Sequence, residues 1–202
     1  MYKIFFVKKK KEVIGKKVFL RYPEKGDWKE WAELRQKSRL FLQPWEPIWP
    51  KNYLTKDFFE RFINQTHNSI KNKTSYTFFI FHKKSKTFMG GINLTNIKNE
   101  LYKSITIGYW MGINFTGKGY MQDSIKNICE FCFNNLSLNR IEAACLPKNI
   151  VSKRVLTKSG FVIEGYAKKY LNINKEPVYI SEPINLRNNY QIRHLFAELV
   201  LY

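Results

Sequence analysis

Residues 104–120 of this chain, SITIGYWMGINFTGKGY, decide how it folds. An apolar strand runs into a turn bracketed by Gly117 and Gly119, and a long helix follows. Such a turn aims unpaired backbone N–H groups and the positive end of the helix dipole at one point, which favours an anion. Glycine lets a phosphate approach the backbone, and Lys118 adds positive charge. The stretch therefore predicts a phosphate-binding turn, with an ordinary glycine turn as the alternative.

The helix after the turn favours phosphate binding. Its apolar residues recur at steps of three and four, which predicts a face packed on a sheet and a first turn held rigidly beside the strand. These residues are Ile125, Ile128, Cys129, Cys132, Phe133 and Leu136. Cys129 and Cys132 form a C-x-x-C pair on this face. Without a second pair to complete a metal site, they predict core packing.

Length and composition bound the class of protein. A chain of 202 residues with 44% hydrophobic and 16% aromatic residues predicts one folded domain over residues 1–202. Its three cysteines are typical of a reducing compartment. No run reaches the roughly 18 apolar residues of a membrane span. The first apolar residues precede the first lysines, the reverse of a secretory signal. The expected location is the cytoplasm.

The net charge of +19 raises the question of nucleic-acid binding. The lysines are spread along the whole chain, and lysine far outnumbers arginine while asparagine is abundant, so compositional bias explains the charge as well. Three readings stay open: intrinsic nucleic-acid binding, transient contact with an RNA-rich partner such as the ribosome, and bias alone.

The order of elements along the chain predicts an α/β fold. A turn at Gly15 joins two strands, an Asp27-x-x-Glu30 capping box begins a helix, and Thr55 caps a second helix. The predicted strands are 2–7, 16–22, 76–81, 88–97, 104–111, 140–145, 161–171 and 191–198. The predicted helices are 27–41, 56–70, the central helix after the glycine turn, and 149–159 closed by Gly160. Residues 172–189 are predicted to form a long surface loop before the closing strand.

A proline-rich loop, residues 43–50 with the sequence QPWEPIWP, interrupts the helical region. Its three prolines remove hydrogen-bond donors and force extended conformations, which predicts that it is not helical. Its aromatic residues are either a lid packed on the core or the wall of a binding cleft. In the second case Trp45, Glu46 and Trp49 would contact the substrate.

Several of these segments together resemble the GNAT superfamily of N-acetyltransferases, and more narrowly the RimJ type of ribosomal-protein-alanine N-acetyltransferases. The similarity spans roughly residues 16–171. It rests on SRLFLQPWEP (38–47), GYWMG (108–112), GKGYM (117–121), NRIEAACLPKN (139–149), VLTKSGF (155–161) and EGY (164–166). The resemblance implies the GNAT fold, a mixed and mostly antiparallel twisted sheet of about seven strands flanked by about four helices.

The resemblance also implies an activity. Acetyl-CoA would be the donor, with no metal, and a primary amine would be the acceptor, typically the N-terminal alanine or serine of a ribosomal protein. The amine would attack the thioester directly, without a covalent enzyme intermediate. The alternatives are an acetyltransferase of small amines or aminoglycoside-like antibiotics, and a non-catalytic RNA- or ribosome-binding module. The protein is expected to be a monomer or a dimer.

For the cofactor, the resemblance places the CoA pyrophosphate on the glycine turn. The superfamily pattern Q/R-x-x-G-x-G/A has Asn114 in its first place here, a departure that binding by backbone N–H groups should survive. Asn149 is implied to contact the pantetheine arm, although it is also an ordinary N-cap. The implied set is Trp110, Met111, Gly112, Asn114, Thr116, Gly117, Lys118, Gly119, Tyr120, Met121, Asn149, Ser152 and Arg154. Arg154 would reach a CoA phosphate or else lie in solvent.

The resemblance supplies candidates for catalysis. A backbone N–H among residues 110–112 would stabilise the oxyanion. Glu142 is the candidate general base, with a purely structural carboxylate as the alternative. Relatives use a tyrosine as proton donor where this chain has Leu156, so Ser152 and Tyr166 are the available substitutes. The closing-strand histidine of relatives corresponds to His194 only after a shift of one place.

Overall fold

Eight strands form one sheet in the computed structural model, which describes residues 12–98, 102–165 and the backbone of Tyr179–Pro183. The strands are β1 (Val13–Ile14), β2 (Val18–Arg21), β3 (Tyr76–His82), β4 (Phe88–Lys98), β5 (Ser104–Met111), β6 (Arg140–Cys145), β7 (Phe161–Val162) and β8 (Tyr179–Pro183). Their order across the sheet is β1-β2-β3-β4-β5-β6-β8-β7. All neighbours are antiparallel except β5 and β6.

Helices cover both faces of this sheet. They are α1 (Trp28–Lys37), α2 (Arg39–Leu42), α3 (Lys56–Asn72), α4 (Tyr120–Asn135) and α5 (Ile150–Lys158). One core cluster joins the sheet to α4 and α5, and a second cluster joins it to α1 and α3. Strand β3 serves both, because Phe78 belongs to the first cluster and Phe79 to the second. A strand covered on both faces is continuously apolar, as the run FFIF at residues 78–81 is. None of the helices among the described residues is long and apolar enough to cross a bilayer.

The two central parallel strands separate after a short contact. β5 and β6 pair over three positions, the last of which is Thr106 with Glu142. Beyond this point β6 pairs on its other edge with β8, while β5 keeps β4 as its partner up to Met111. The gap between residues 107–111 of β5 and residues 143–145 of β6 is called the wedge below.

A carboxylate on α4 fixes the turn between β1 and β2. The Asp123 side chain accepts backbone N–H bonds from Lys16 (3.3 Å), Lys17 (2.7 Å) and Val18 (3.2 Å). A Cβ at Gly15 would lie 2.6 Å from the Asp123 Oδ2 atom, so only glycine fits this close approach. The turn is therefore held against the first turn of α4.

The fold expected from the sequence is confirmed as a mixed, mostly antiparallel sheet flanked by helices. Strand β5 has the predicted bounds, β6 does too, and the other meander strands differ by one residue at one end. The Thr55 hydroxyl caps α3 by accepting the Phe58 N–H (3.3 Å), as predicted. Eight strands and five α-helices are described, where about seven and about four were expected.

The helix predicted for residues 27–41 starts where expected, with Asp27 at its N-cap, but the prediction is wrong in its capping box and in its continuity. Asp27 turns its carboxylate back to accept the Glu24 N–H and to pair with Arg21, so it forms no box with Glu30. The helix then stops at Lys37, and Ser38 separates it from α2. The ion pair between Asp27 and Arg21 of β2 thus replaces the capping box predicted with Glu30.

The proline-rich loop was also predicted to lack helix throughout, and its first residues contradict this. Residues Gln43–Trp45 form a single 3-10 turn. Pro44 lies in the first turn of this element, where a missing N–H costs nothing. The rest of the loop, residues 46–50, is not helical.

The C-terminal region differs from the prediction as well. The strand expected over 161–171 ends at Val162, and β8 lies inside the stretch 172–189 that was predicted to be a loop. Pro177 and Pro183 made this stretch look like a loop in the sequence. The backbone groups of β6 nevertheless need a partner once β6 leaves β5, and β8 provides it. Strands 2–7 and 191–198 and residue His194 lie outside the described residues.

Candidate active site

The glycine turn presents a row of backbone donors. Gly117 and Gly119 have φ angles of +73° and +78°, a left-handed conformation that glycine adopts without strain. Within the described part of the chain, no partner is found for the N–H groups of residues 117–122. Asp123 is the first residue of α4 whose N–H is bonded, to the Gly119 carbonyl (3.0 Å). These six N–H groups at the positive end of the helix dipole are called the cradle below.

The residues before the cradle are internally bonded. The Gly112 N–H donates to the Met89 carbonyl (2.9 Å) and the Ile113 N–H to the Ser38 hydroxyl (3.1 Å). The N–H groups of Phe115 and Thr116 close a 3-10 turn, and the Thr116 hydroxyl donates to the Ile113 carbonyl. The amides of Gly112 and Thr116 are therefore not available to an anion, and the continuous run of unbonded N–H groups starts at Gly117.

Two lysines support the turn from its sides. The Lys17 Nζ atom donates to the Lys118 carbonyl (3.0 Å), and the Lys118 Nζ atom donates to the Asn114 carbonyl (2.8 Å). Because the C=O and N–H of a trans peptide point in opposite directions, the Lys17 bond directs the Gly119 N–H away from the β1–β2 turn. Lys17 thus orients the cradle and adds a positive charge beside it.

The edge of β5 offers one more donor. Residues of an antiparallel strand alternate between bonding their partner and facing the opposite edge. Since the Gly112 N–H bonds to β4, the Trp110 N–H faces β4 too, whereas the Tyr109 and Met111 N–H groups face the wedge. Of the three amides considered for the oxyanion, only that of Met111 has the required direction.

Glu142 lies at the closed end of the wedge, opposite Thr106. Its Oε1 atom accepts a bond from the Arg140 Nε atom (3.1 Å), and Arg140 also pairs with Glu164 (2.9 Å). The side chain is 25% exposed, so solvent or a substrate can reach it. The structure therefore shows a carboxylate bound to an arginine and leaves both roles considered for Glu142 open.

The start of α5 lies beside the wedge, in contact with Tyr109 of β5. Asn149 caps the helix by accepting the Ser152 N–H (3.0 Å), which is the N-cap role considered for it. The Ser152 hydroxyl is 2.8 Å from the Tyr109 hydroxyl across the wedge. Burial raises the pKa of Tyr109, so the phenol stays protonated and serves as a hydrogen-bonding partner. Leu156 is buried in the core, and Arg154 is exposed.

A buried arginine holds the proline-rich loop in place. Arg35 is 3% exposed and makes two bonds to the Glu46 carboxylate (2.8 and 2.6 Å). Its guanidinium lies between the rings of Trp49 (4.6 Å) and Trp110 (4.5 Å). The Trp49 Nε1 atom donates to Glu46 as well (2.9 Å). Both Glu46 oxygens are thus occupied, and its role in the structure is to fix the loop. Trp45 is half-buried, and no contact of its ring decides between lid and wall.

Three residues of this region were missed from the sequence. Arg35 lies at a position of α1 where the helical spacing predicts an apolar residue. A charged residue at such a core-facing position indicates that it has a buried partner. Lys17 and Tyr109 gave no such signal, because their contacts join segments far apart in the chain. Tyr166 lies outside the described residues. Burial raises the pKa of Cys129 to about 12, which fits the predicted core packing of the C-x-x-C pair.

Comparison with known proteins assigns the family. The model of the acetyltransferase (GNAT) domain matches residues 17–162, which is most of the chain. The chain belongs to the GNAT family of acetyltransferases and is an enzyme of acetyl transfer. The cradle lies within the matched region.

Individual relatives agree with this family. The probable N-acetyltransferase YjcK of Bacillus subtilis is 31% identical over 160 residues, 79% of this chain and 88% of that protein. Among solved structures, the ribosomal-protein-S5-alanine acetyltransferase of Vibrio fischeri has a TM-score of 0.80 at 27% identity, over 88% of this chain and 98% of that one. Mycobacterium smegmatis RimJ in complex with CoA-disulfide has a TM-score of 0.78 at 25% identity, over 86% of this chain and 84% of that one.

The substitution Gly117→Asp tests the cradle. A Cβ at Gly117 meets no described atom within 4 Å, and Asp and Asn both tolerate the left-handed conformation. We expect the added negative charge to weaken acetyl-CoA binding at least about 100-fold in calorimetry. The matched variant Gly117→Asn has nearly the same shape without the charge and should lose about tenfold or less. Equal losses in both variants would contradict an anion site.

The substitution Lys17→Met tests the support of the turn. Loss of a charged hydrogen bond and of the orientation it enforces should weaken acetyl-CoA binding about tenfold. Lys16→Met removes the same charge one residue away, from a side chain that is exposed. Its effect should stay within about threefold, as for other surface charges. If calorimetry gives the same affinity for both variants, Lys17 contributes only net charge.

Proposed function

We propose that this enzyme transfers the acetyl group of acetyl-CoA to the N-terminal α-amine of a protein, most typically a ribosomal protein that begins with alanine or serine. The observation that carries the proposal is the cradle, whose six donors suit the pyrophosphate of an acyl-CoA. The cradle lies beside the wedge, so the acyl arm of a bound acyl-CoA would run between β5 and β6. The similar protein of Vibrio fischeri is named as an acetyltransferase of the alanine of ribosomal protein S5, which supports the acceptor class.

The residues present fit the donor. The N–H groups of Gly117 and its neighbours would hold the pyrophosphate, and Lys17 and Lys118 would offset its charge. Asn149 and Ser152, at the start of α5, border the path of the pantetheine arm. Acetyl-CoA, when bound, supplies an activated thioester. The Met111 N–H, which faces the wedge, is the donor available to the carbonyl oxygen of this group.

Proton transfer sets the remaining requirement. An α-amine has a pKa of about 7.7 to 8.0, so part of it is already neutral near pH 7 and needs only modest help from a base. Glu142 shares the sheet face of Trp110 and lies at the closed end of the wedge, where it would receive the amine proton directly or through water. Ser152, in contact with Tyr109, would donate a proton to the leaving sulfur. Tyr166 stays the alternative donor.

The decisive experiment supplies the protein with acetyl-CoA and short peptides that carry a free N-terminal Ala or Ser. We expect release of CoA and a peptide mass increase of one acetyl group, and peptides blocked at the N-terminus should be inert. An enzyme that binds acetyl-CoA yet acetylates only small amines or aminoglycosides would overturn the protein acceptor. An RNA affinity independent of acetyl-CoA, with no turnover, would replace transfer by a binding role.

Replacement of Glu142 by Gln tests the base. We expect kcat to fall about 10- to 100-fold on an Ala peptide, with little change in acetyl-CoA affinity. Glu164→Gln is a matched control, since it removes the other carboxylate that pairs with Arg140. If Glu142 is the base, kcat should fall much more in Glu142→Gln than in Glu164→Gln. If Glu142 only neutralises Arg140, both variants should lose little kcat, and to a similar extent.

A further inference from the structure

An open space lies over one residue of β5. A Cβ at Gly108 would meet no atom of the described residues within 4 Å, and the residue is exposed although it belongs to a central strand. Its neighbours on the strand are large: Tyr109 packs against the α4 and α5 side of the core, and Trp110 packs against the α1 and α3 side. The gap is thus confined to one position.

The alternating direction of side chains along β5 shows on which face of the sheet this space lies. Successive side chains of a strand point to opposite faces, so Gly108 shares the face of Thr106 and Trp110. Paired residues of parallel strands also share a face, which adds Glu142 through its pairing with Thr106. The space over Gly108 is therefore on the face of α1, between the candidate base and the indole of Trp110.

The indole leaves this space free because it is held elsewhere. A Cβ at Gly91, the β4 residue paired with Trp110, would be 2.9 Å from the Trp110 Nε1 atom, so the indole lies across β4. The Arg35 guanidinium stacks on its ring and on that of Trp49. The Arg35 guanidinium, in a residue 3% exposed and bonded twice to Glu46, does not move easily, because it would lose both hydrogen bonds in a dry environment.

On the wedge side the next residue of β6 on this face is Ala144, which is also small. Gly108 and Ala144 are each two residues beyond the last paired positions, Thr106 and Glu142, so small residues follow on this face of both strands where they part. The Met111 amide, at the end of β5, faces the same opening. An amine that approaches from the α1 face would pass over Gly108 to reach the thioester.

We propose that Gly108 is the floor of the acceptor pocket and sets the size of the first residue of the acceptor. This inference rests on the proposed function and narrows it: the pocket takes a small, uncharged N-terminal residue, with the Glu142 carboxylate near its amine and the fixed Trp110 and Trp49 rings as one wall. Gly108 is a specificity-determining residue and takes no part in binding the donor.

The test is the pair of variants Gly108→Ala and Gly108→Val, assayed with peptides that begin with Gly, Ala or Ser. Valine suits a strand and its Cβ atom has no described neighbour within 4 Å, so the fold should persist. We expect kcat/KM of Gly108→Val to fall at least about 30-fold for the Ala and Ser peptides and much less for the Gly peptide, with alanine intermediate. Acetyl-CoA affinity, by calorimetry, should stay within about twofold of the parent enzyme.

Gly26→Val provides the control, because Gly26 also has open space around its Cβ position and lies in a 3-10 turn before α1. It should leave the ratio of Ala to Gly peptide turnover unchanged. If Gly108→Val also keeps this ratio within about twofold, Gly108 does not border the acceptor and the inference is wrong. If the parent enzyme binds acetyl-CoA but acetylates no peptide, the protein acceptor fails, and the inference fails with it. Should the valine variant misfold, the alanine variant decides between these outcomes.

Discussion

The site depends on backbone hydrogen bonding between two parallel strands that stop pairing after three positions. A central strand normally has both edges satisfied, and buried amides without partners are costly. Here β6 turns to β8 for its partner, while the wedge edge of β5 beyond Thr106 is left facing a gap. An extended acyl arm with amide groups can satisfy such an edge. On the proposed function, the separation of the strands would make room for a linear ligand without any special side chain.

The cradle needs a second constraint, which is rigidity at the start of α4. A helix N-terminus attracts anions, but its donors are useful only when they point the same way. Asp123 binds three consecutive amides of the β1–β2 turn, and Lys17 from that turn binds the Lys118 carbonyl. The acidic side chain near the cradle is thereby occupied by N–H groups of the protein. The β1–β2 hairpin and α4 thus fix one another, and these bonds keep Gly117 and Gly119 in one conformation.

Local sequence predicted the parts of the fold that depend on local physics. The strand β5, the turn at Gly117 and the cap at Thr55 follow from periodicity, glycine and capping, and the structure has them where the sequence indicates. The predictions failed where distant partners compete with local preference. Asp27 pairs with Arg21 instead of forming the predicted capping box, and β8, which includes Pro183, forms by pairing with β6. Lys17 and Arg35 acquire their roles only through contacts across the fold.

The stacked arrangement of Arg35 has a consequence for how molecules enter and leave the enzyme. For the proline-rich loop to swing outward, the Arg35 guanidinium would have to give up the Glu46 carboxylate and the Trp49 ring at once. Breaking a buried ion pair in this way costs several kcal/mol, too much for a routine step of each catalytic cycle. The Trp49 side of the proposed acceptor pocket is thus fixed, so acceptor and acetylated product would enter and leave at the opposite, open side of that pocket.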